Sequence, residues 1–287
     1  MTEAAIIIHT RTKFCDFPSA LAVSPSVLNR EELTQVRKKI LETTRAIDNL
    51  HRNEVRMMIY SFGDYVVAGM TSFLNCFADY NTDSSRYFVD EKGRNIYAFI
   101  GFVFKKNMLS TPSVDKNTLW NCFIKYMAPI WEDSLLETQY SSFEEMSFCP
   151  KLLGEHIDGE MVSDLRMYHL GNDDVDVFSY WLEKAIKGED ISFCSNITDF
   201  RVVKEKSFHI ITTTNNIIER ARIELAYNAS DKIHMPSDVD SRLPCETDKK
   251  KIFSSSNITV GLSSLKNFCP IVVVLLLVII LIILVLK

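Results

Sequence analysis

The 287-residue chain predicts an α+β fold: a mostly antiparallel sheet built from hairpins, several packing helices, and one C-terminal transmembrane helix. Three observations carry this reading. Apolar segments of period two, separated by short turn sequences, recur between residues 56 and 105 and imply hairpins. Segments with a helical period stand apart from them instead of alternating one for one, which argues against a doubly wound parallel sheet. Finally, the sequence CPIVVVLLLVIILIILVLK runs from Cys269 to Lys287, and from Ile271 to Leu286 every residue is Val, Leu or Ile.

In chain order, Ala4–Thr10 reads as an opening strand. Asn29 with Glu32 three residues later forms a capping box, and the helix it starts carries Leu33, Val36, Ile40, Ile47 and Leu50 as an apolar seam, with Thr43 at the missing step. So short a seam suits packing on the protein's own sheet better than a coiled coil with a partner. A hairpin is expected at Arg56–Phe62, a Gly63-Asp64 turn, and Tyr65–Thr71. A second is expected in SRYFVDEKGRNIYAFIGFVFKK, with Asp90 through Gly93 as its turn. From Ile96 to Phe104 both faces are apolar, so that strand is central. Helices follow at Asn117–Ile130 and at Asp173–Lys187, the latter stopped by Gly188. Strands are expected at Ile191–Cys194 and Phe200–Thr213, and Asn216 with Glu219 caps a last helix whose Ile217, Ile218, Ala221 and Leu225 share a face.

The apolar run divides the chain. Residues 1–229 read as a cytosolic domain, with a division into two halves near 132–146 as the alternative. Residues 230–267 form a polar tether rich in Ser, Pro and Lys, and residues 268–286 a membrane anchor spanning from Pro270 and Ile271 to Leu286. The uniform run makes a helix of about 25 Å, with no polar stripe of the kind a water-facing helix needs. Lys249, Lys250, Lys251 and Lys266 precede it and Lys287 alone follows, which places the preceding domain on the cytosolic side and gives these lysines an anionic membrane surface to contact. The amino-terminal Ala4–Ile8 run is too short for a signal peptide.

A net charge of −5 and a pI near 5.7 argue against a nucleic-acid partner. Seven scattered cysteines without a CxxC pair imply buried free thiols and no zinc site. Phosphate-binding, dinucleotide, nucleophile-elbow and HExxH motifs are all missing from the sequence, so no cofactor is expected. Three weak constellations remain. His156 and Asp158 in the GEHIDGE segment have the residue types for acid–base chemistry, Asp90, Lys92 and Arg94 form a charged tip that suits a ligand or partner, and Cys122 could be a nucleophile were it not set between aromatic residues. The expected function is a single-pass, tail-anchored protein whose cytosolic domain is a non-enzymatic adaptor or sensor for a cytosolic protein. Two alternatives stand beside it: a membrane-anchored enzyme acting through a site around His156 and Asp158, and a membrane-disrupting effector regulated by its cytosolic domain.

Overall fold

Most of the β-branched and aromatic segments pair into one ten-stranded sheet, and two short strands form a separate two-stranded sheet. A computed structural model describes residues 4–12, 20–23, 28–51, 54–78, 83–108, 111–132, 137–139, 148–149, 158–171 and 174–231. The strands are β1 (Ala4–Thr10), β2 (Ala20–Val23), β3 (Arg56–Phe62), β4 (Tyr65–Phe73), β5 (Tyr97–Lys105), β6 (Thr111–Pro112), β7 (Glu137–Gln139), β8 (Phe148–Cys149), β9 (Glu160–Val162), β10 (Leu165–His169), β11 (Ser192–Ile197) and β12 (Ile210–Thr213). The α-helices are α1 (Arg30–Thr43), α2 (Lys116–Cys122), α3 (Asp174–Ile186), α4 (Phe200–Lys204) and α5 (Asn215–Asp231). Eight strands run in the order β1-β5-β4-β3-β11-β12-β10-β9, and β2 and β7 extend the β1 edge to ten. The fold is thus mixed α+β with a mostly antiparallel sheet.

Alternation along the strands separates two cores. On β1, Ala4, Ile6 and Ile8 enter one cluster, while Ala5 and Ile7 enter the other on the opposite face. On β5, Ile100, Phe102 and Phe104 face the first cluster, and Phe99 and Val103 the second. Helices α2 and α3 cover the first face; α1, α4 and α5 cover the second. Burial on both faces explains why β5 reads as a continuous apolar run.

Two groups of strands depart from the antiparallel pattern: β7 runs parallel to β2 at one edge, and β10, β12 and β11 are parallel neighbours. The chain passes from β10 through α3 to β11, then returns through α4 to β12, which inserts between them. Crossovers of one hand that move in opposite directions must use opposite faces. Accordingly, α3 buries Val177, Phe178 and Trp181 in the first core, and α4 buries Phe200, Val202 and Val203 in the second.

Several sequence expectations hold locally. Asn29 accepts from Glu31 and Glu32 backbone N–H groups and Glu32 returns a bond to the Asn29 N–H, completing the capping box. Helix α1 then ends at Thr43, because Ala46 takes a left-handed conformation and turns the chain; Val36, Ile40 and Thr43 are buried against the sheet, and Ile47 and Leu50 join a small separate cluster with Phe73. The helix expected to Ile130 widens instead of continuing as α: Phe123–Met127 form a π turn in which the Ala128 N–H bonds to the Phe123 carbonyl. Pro129 lies just beyond; it lacks an N–H and its ring crowds the Lys125 carbonyl, which the wider turn relieves.

Other expectations are corrected. Phe200–Thr213 is not one strand: Asp199 caps the short helix α4 by accepting from the Arg201 N–H, and only Ile210–Thr213 is extended. The first arm of the second hairpin is mostly helical at Asp83–Tyr87, with a lone bridge between Val89 and Asn95. Helix α5 starts one residue earlier than the expected cap, with Ile217 and Ile218 N–H groups bonding to the Thr214 carbonyl, and Glu219 pairs with Arg222 instead of capping. The β9–β10 hairpin was not anticipated. Among the described residues no helix is long and apolar enough to cross a membrane, and residues 232–287, including Lys249, Lys250, Lys251, Lys266, Pro270, Ile271 and Leu286, lie outside them.

Candidate functional site

His156 lies outside the described residues, and Asp158 is exposed just before β9. Asp90, Lys92 and Arg94 do come together, as one self-satisfied turn. Asp90 Oδ1 accepts from the backbone N–H groups of Lys92 and Arg94, each at 2.9 Å, and Oδ2 accepts from Arg94 Nε at 2.7 Å. Arg11 approaches the same oxygen at 3.5 Å and donates to the Asn95 carbonyl at 2.8 Å. Desolvation works to raise the Asp90 pKa, but the Arg94 and Lys92 hydrogen bonds outweigh it and hold the carboxyl below its usual range. Asp90 organises this turn, and the ion pair with Arg94 is internal to it.

Cys122 is buried under Trp120 and Phe123, and burial pushes its thiol up to about 12, so it is protonated and unreactive at neutral pH. Asn196, which opens an Asn-Ile-Thr glycosylation pattern, is buried in a left-handed kink of β11, where its amide donates to Glu54 Oε2 at 3.2 Å. A side chain so placed cannot accept a glycan without local unfolding. Among the described residues no group of three or more His, Cys, Asp or Glu side chains could hold a metal ion.

Topology marks one place for a ligand. Beside one another, β10 and β12 send their chains to opposite faces, and crevices of α/β sheets form at the carboxyl ends of such strands. There His169, ending β10, bonds through Nδ1 to the Asn215 side-chain carbonyl at the start of α5. The neighbouring charges are paired among themselves: Arg222 forks onto the Glu160 carboxylate, with its Nε at 2.6 Å from Oε1, and also reaches Glu219. At this end of the strands Arg222, Glu160 and Glu219 are engaged with one another.

A second place is a true concavity. Helix α1, β3 and the turn after α4 enclose a cleft of about 470 Å³, with Lys38, Lys39, Glu42, Arg45, Tyr60 and Ser207 prominent in its lining. Arg45 holds both local acids, reaching Glu42 Oε2 and Glu205 Oε2 at 2.8 Å each. The Ser207 hydroxyl adds a bond to Glu42 at 3.1 Å. Lys206 pairs with Asp164. Lys39 is treated differently. Its ammonium donates to the Ser207 carbonyl and lies 5.2 Å from the ring centroids of both Tyr60 and Phe208. It has no carboxylate partner among the described residues, and neither does Lys38. Burial is the main cause that lowers the Lys39 pKa, against the opposing pull of Glu42. Burial likewise raises the pKa of Tyr60.

Sequence reasoning missed this cleft for a physical reason. Lys39 is one of two adjacent lysines on a charged helix face. Its surroundings come from Tyr60 on β3 and from Ser207, which is 168 residues away. No local pattern encodes that meeting. No family model matches the chain, and no curated protein or solved structure matches it.

Proposed function

We propose that the chain is a single-pass membrane protein, anchored through Ile271–Leu286, whose folded part is a non-enzymatic binding module on the cytosolic side. The observation that carries this reading is the apolar run itself, which in water would expose a continuous hydrocarbon surface. The lysines at 249–251 and 266 support the cytosolic orientation. Four side chains with reactive chemistry are engaged in the fold: the Arg56 guanidinium bonds to backbone carbonyls, the Cys122 and Cys194 thiols are held protonated by burial, and Asp90 organises a turn. A binding role therefore suits the side chains better than nucleophilic catalysis.

Truncation after Ser264 tests the reading. The shortened chain should become soluble while keeping the partner that the full chain retains in cells, whereas an effector acting on the bilayer should lose its effect together with the anchor. Loss of a measured catalytic activity in His156→Ala, with melting unchanged, would replace this proposal with an enzyme.

A further inference from the structure

The cleft beside Lys39 has an unusual balance of charge. Both of its carboxylates, Glu42 and Glu205, are bound by Arg45, and the Lys206 ammonium is bound by Asp164 on the rim. One guanidinium does not cancel two carboxylates, so the cleft together with Asp164 keeps a net positive charge of one, and Lys38 and Lys39 on α1 are its cations without a direct carboxylate contact among the described residues. Lys39 is the more telling member, because a partly desolvated ammonium with a single carbonyl partner is an incomplete arrangement. An ammonium has three donors, and the two rings beside Lys39 attract its charge without accepting those protons as an oxygen would. An oxyanion in the cleft would accept them and offset the desolvation.

We propose that the Lys38–Lys39 cleft binds a phosphate group, either of a soluble phosphorylated compound or of a lipid headgroup. Lysine recognises phosphate as a point charge, and a cleft lined by two lysines without carboxylate contacts suits a dianion better than a single carboxylate. The concavity admits a compact group and a small attached moiety, and the Tyr60 ring supplies an apolar wall. The lipid source additionally rests on the membrane reading above; the soluble source does not.

The proposal carries a proton linkage. The charged or titratable groups facing Lys39 are Lys38 and Glu42 from α1, Arg45 just after it, Tyr60 from β3, Cys194 from β11, and Glu205 and Lys206 from the turn after α4. A bound phosphate favours the charged ammonium and raises a pKa that burial had lowered. Binding is therefore accompanied by proton uptake at Lys39 where the free amine is partly deprotonated, and it weakens as pH rises through that range.

The test is calorimetric titration of inorganic phosphate into the full chain, held in phosphatidylcholine nanodiscs at constant ionic strength. A parallel sample in detergent serves if the chain does not enter the discs, an outcome that would sink the anchor reading without touching the cleft. Saturable binding is expected, with affinity falling at alkaline pH. Lys39→Met, which keeps the apolar stem, should weaken binding by about tenfold or more without lowering the melting temperature. Lys38→Met should weaken it to a lesser degree, and Lys116→Met on α2 should leave it unchanged. Discs that also contain phosphatidic acid separate the sources: suppressed binding of added phosphate assigns the site to the lipid headgroup, and undiminished binding assigns it to a soluble compound. Absence of saturable binding in both media, or equal binding by Lys39→Met, would overturn the proposal.

Discussion

The Arg56 guanidinium on β3 donates through Nε to the backbone carbonyl of Asn196 on β11 at 3.0 Å, while the same side chain closes the end of α1. Its other nitrogens reach the Thr43 carbonyl at 2.8 Å, the Ala46 carbonyl at 3.3 Å and the Thr198 hydroxyl at 2.8 Å. The side chain is almost fully buried, and desolvation lowers its pKa against the attraction of the Asp199 and Glu54 carboxylates. One cation thus satisfies carbonyls left over by a helix terminus and by a kinked strand, which links the second core to the start of β3.

Arg56→Leu removes the donors and leaves those carbonyls buried without partners. A loss of about 3–5 kcal/mol is expected. Urea unfolding measures it as a lower midpoint with an unchanged slope.

Gly69 and Gly101 face each other across β4 and β5, beneath the ring of Phe99. A Cβ at Gly69 would stand 2.5 Å from the Ile100 carbonyl oxygen and 2.6 Å from Phe99 Cζ. Gly69→Ala should cost about 1–3 kcal/mol through overpacking. Gly171→Ala serves as the control, because a Cβ there meets nothing within 4 Å; its effect should stay within about 0.5 kcal/mol.

These packing positions indicate how far the sequence could be read. Ala4–Thr10, the Gly63-Asp64 turn, the central strand near Ile96–Phe104 and the Asn29 cap were legible because local pattern and tertiary burial agree there. The Glu160–His169 hairpin was not, since its turn places Ser163 at φ +60 without the Gly or Asn that marks such turns. Val202 and Val203 favour a strand by propensity, yet the Asp199 cap and burial in the second core make them helical. The cleft was illegible because it joins α1 to β3 and to the turn after α4, segments distant in the chain.

His9 sits within β1 with its pKa lowered from 6.5 to about 3, first by burial and then by the charge of Arg37. The folded form stays neutral while the unfolded chain takes up a proton below pH 6.5. Stability is therefore lost as pH falls from about 6.5 toward about 3, by about 1.4 kcal/mol per unit once the unfolded histidine is charged. Denaturant melts across that window should give a shallower acid limb for His9→Gln than for the native chain.

Burial pushes the Cys194 thiol up to about 12, as it does Cys122. Iodoacetamide at neutral pH should leave both unmodified in the folded protein and alkylate both in guanidinium. Peptide mass spectrometry distinguishes the two outcomes, and rapid native labelling at Cys194 would contradict the packing of β11.

Membrane attachment through Ile271–Leu286 is the central claim, and alkaline carbonate extraction of membranes from cells making the full chain tests it most directly. The full chain should remain in the pellet, with the truncation after Ser264 in the supernatant. Release of the full chain by carbonate, or retention of the truncation in the pellet, would contradict the account.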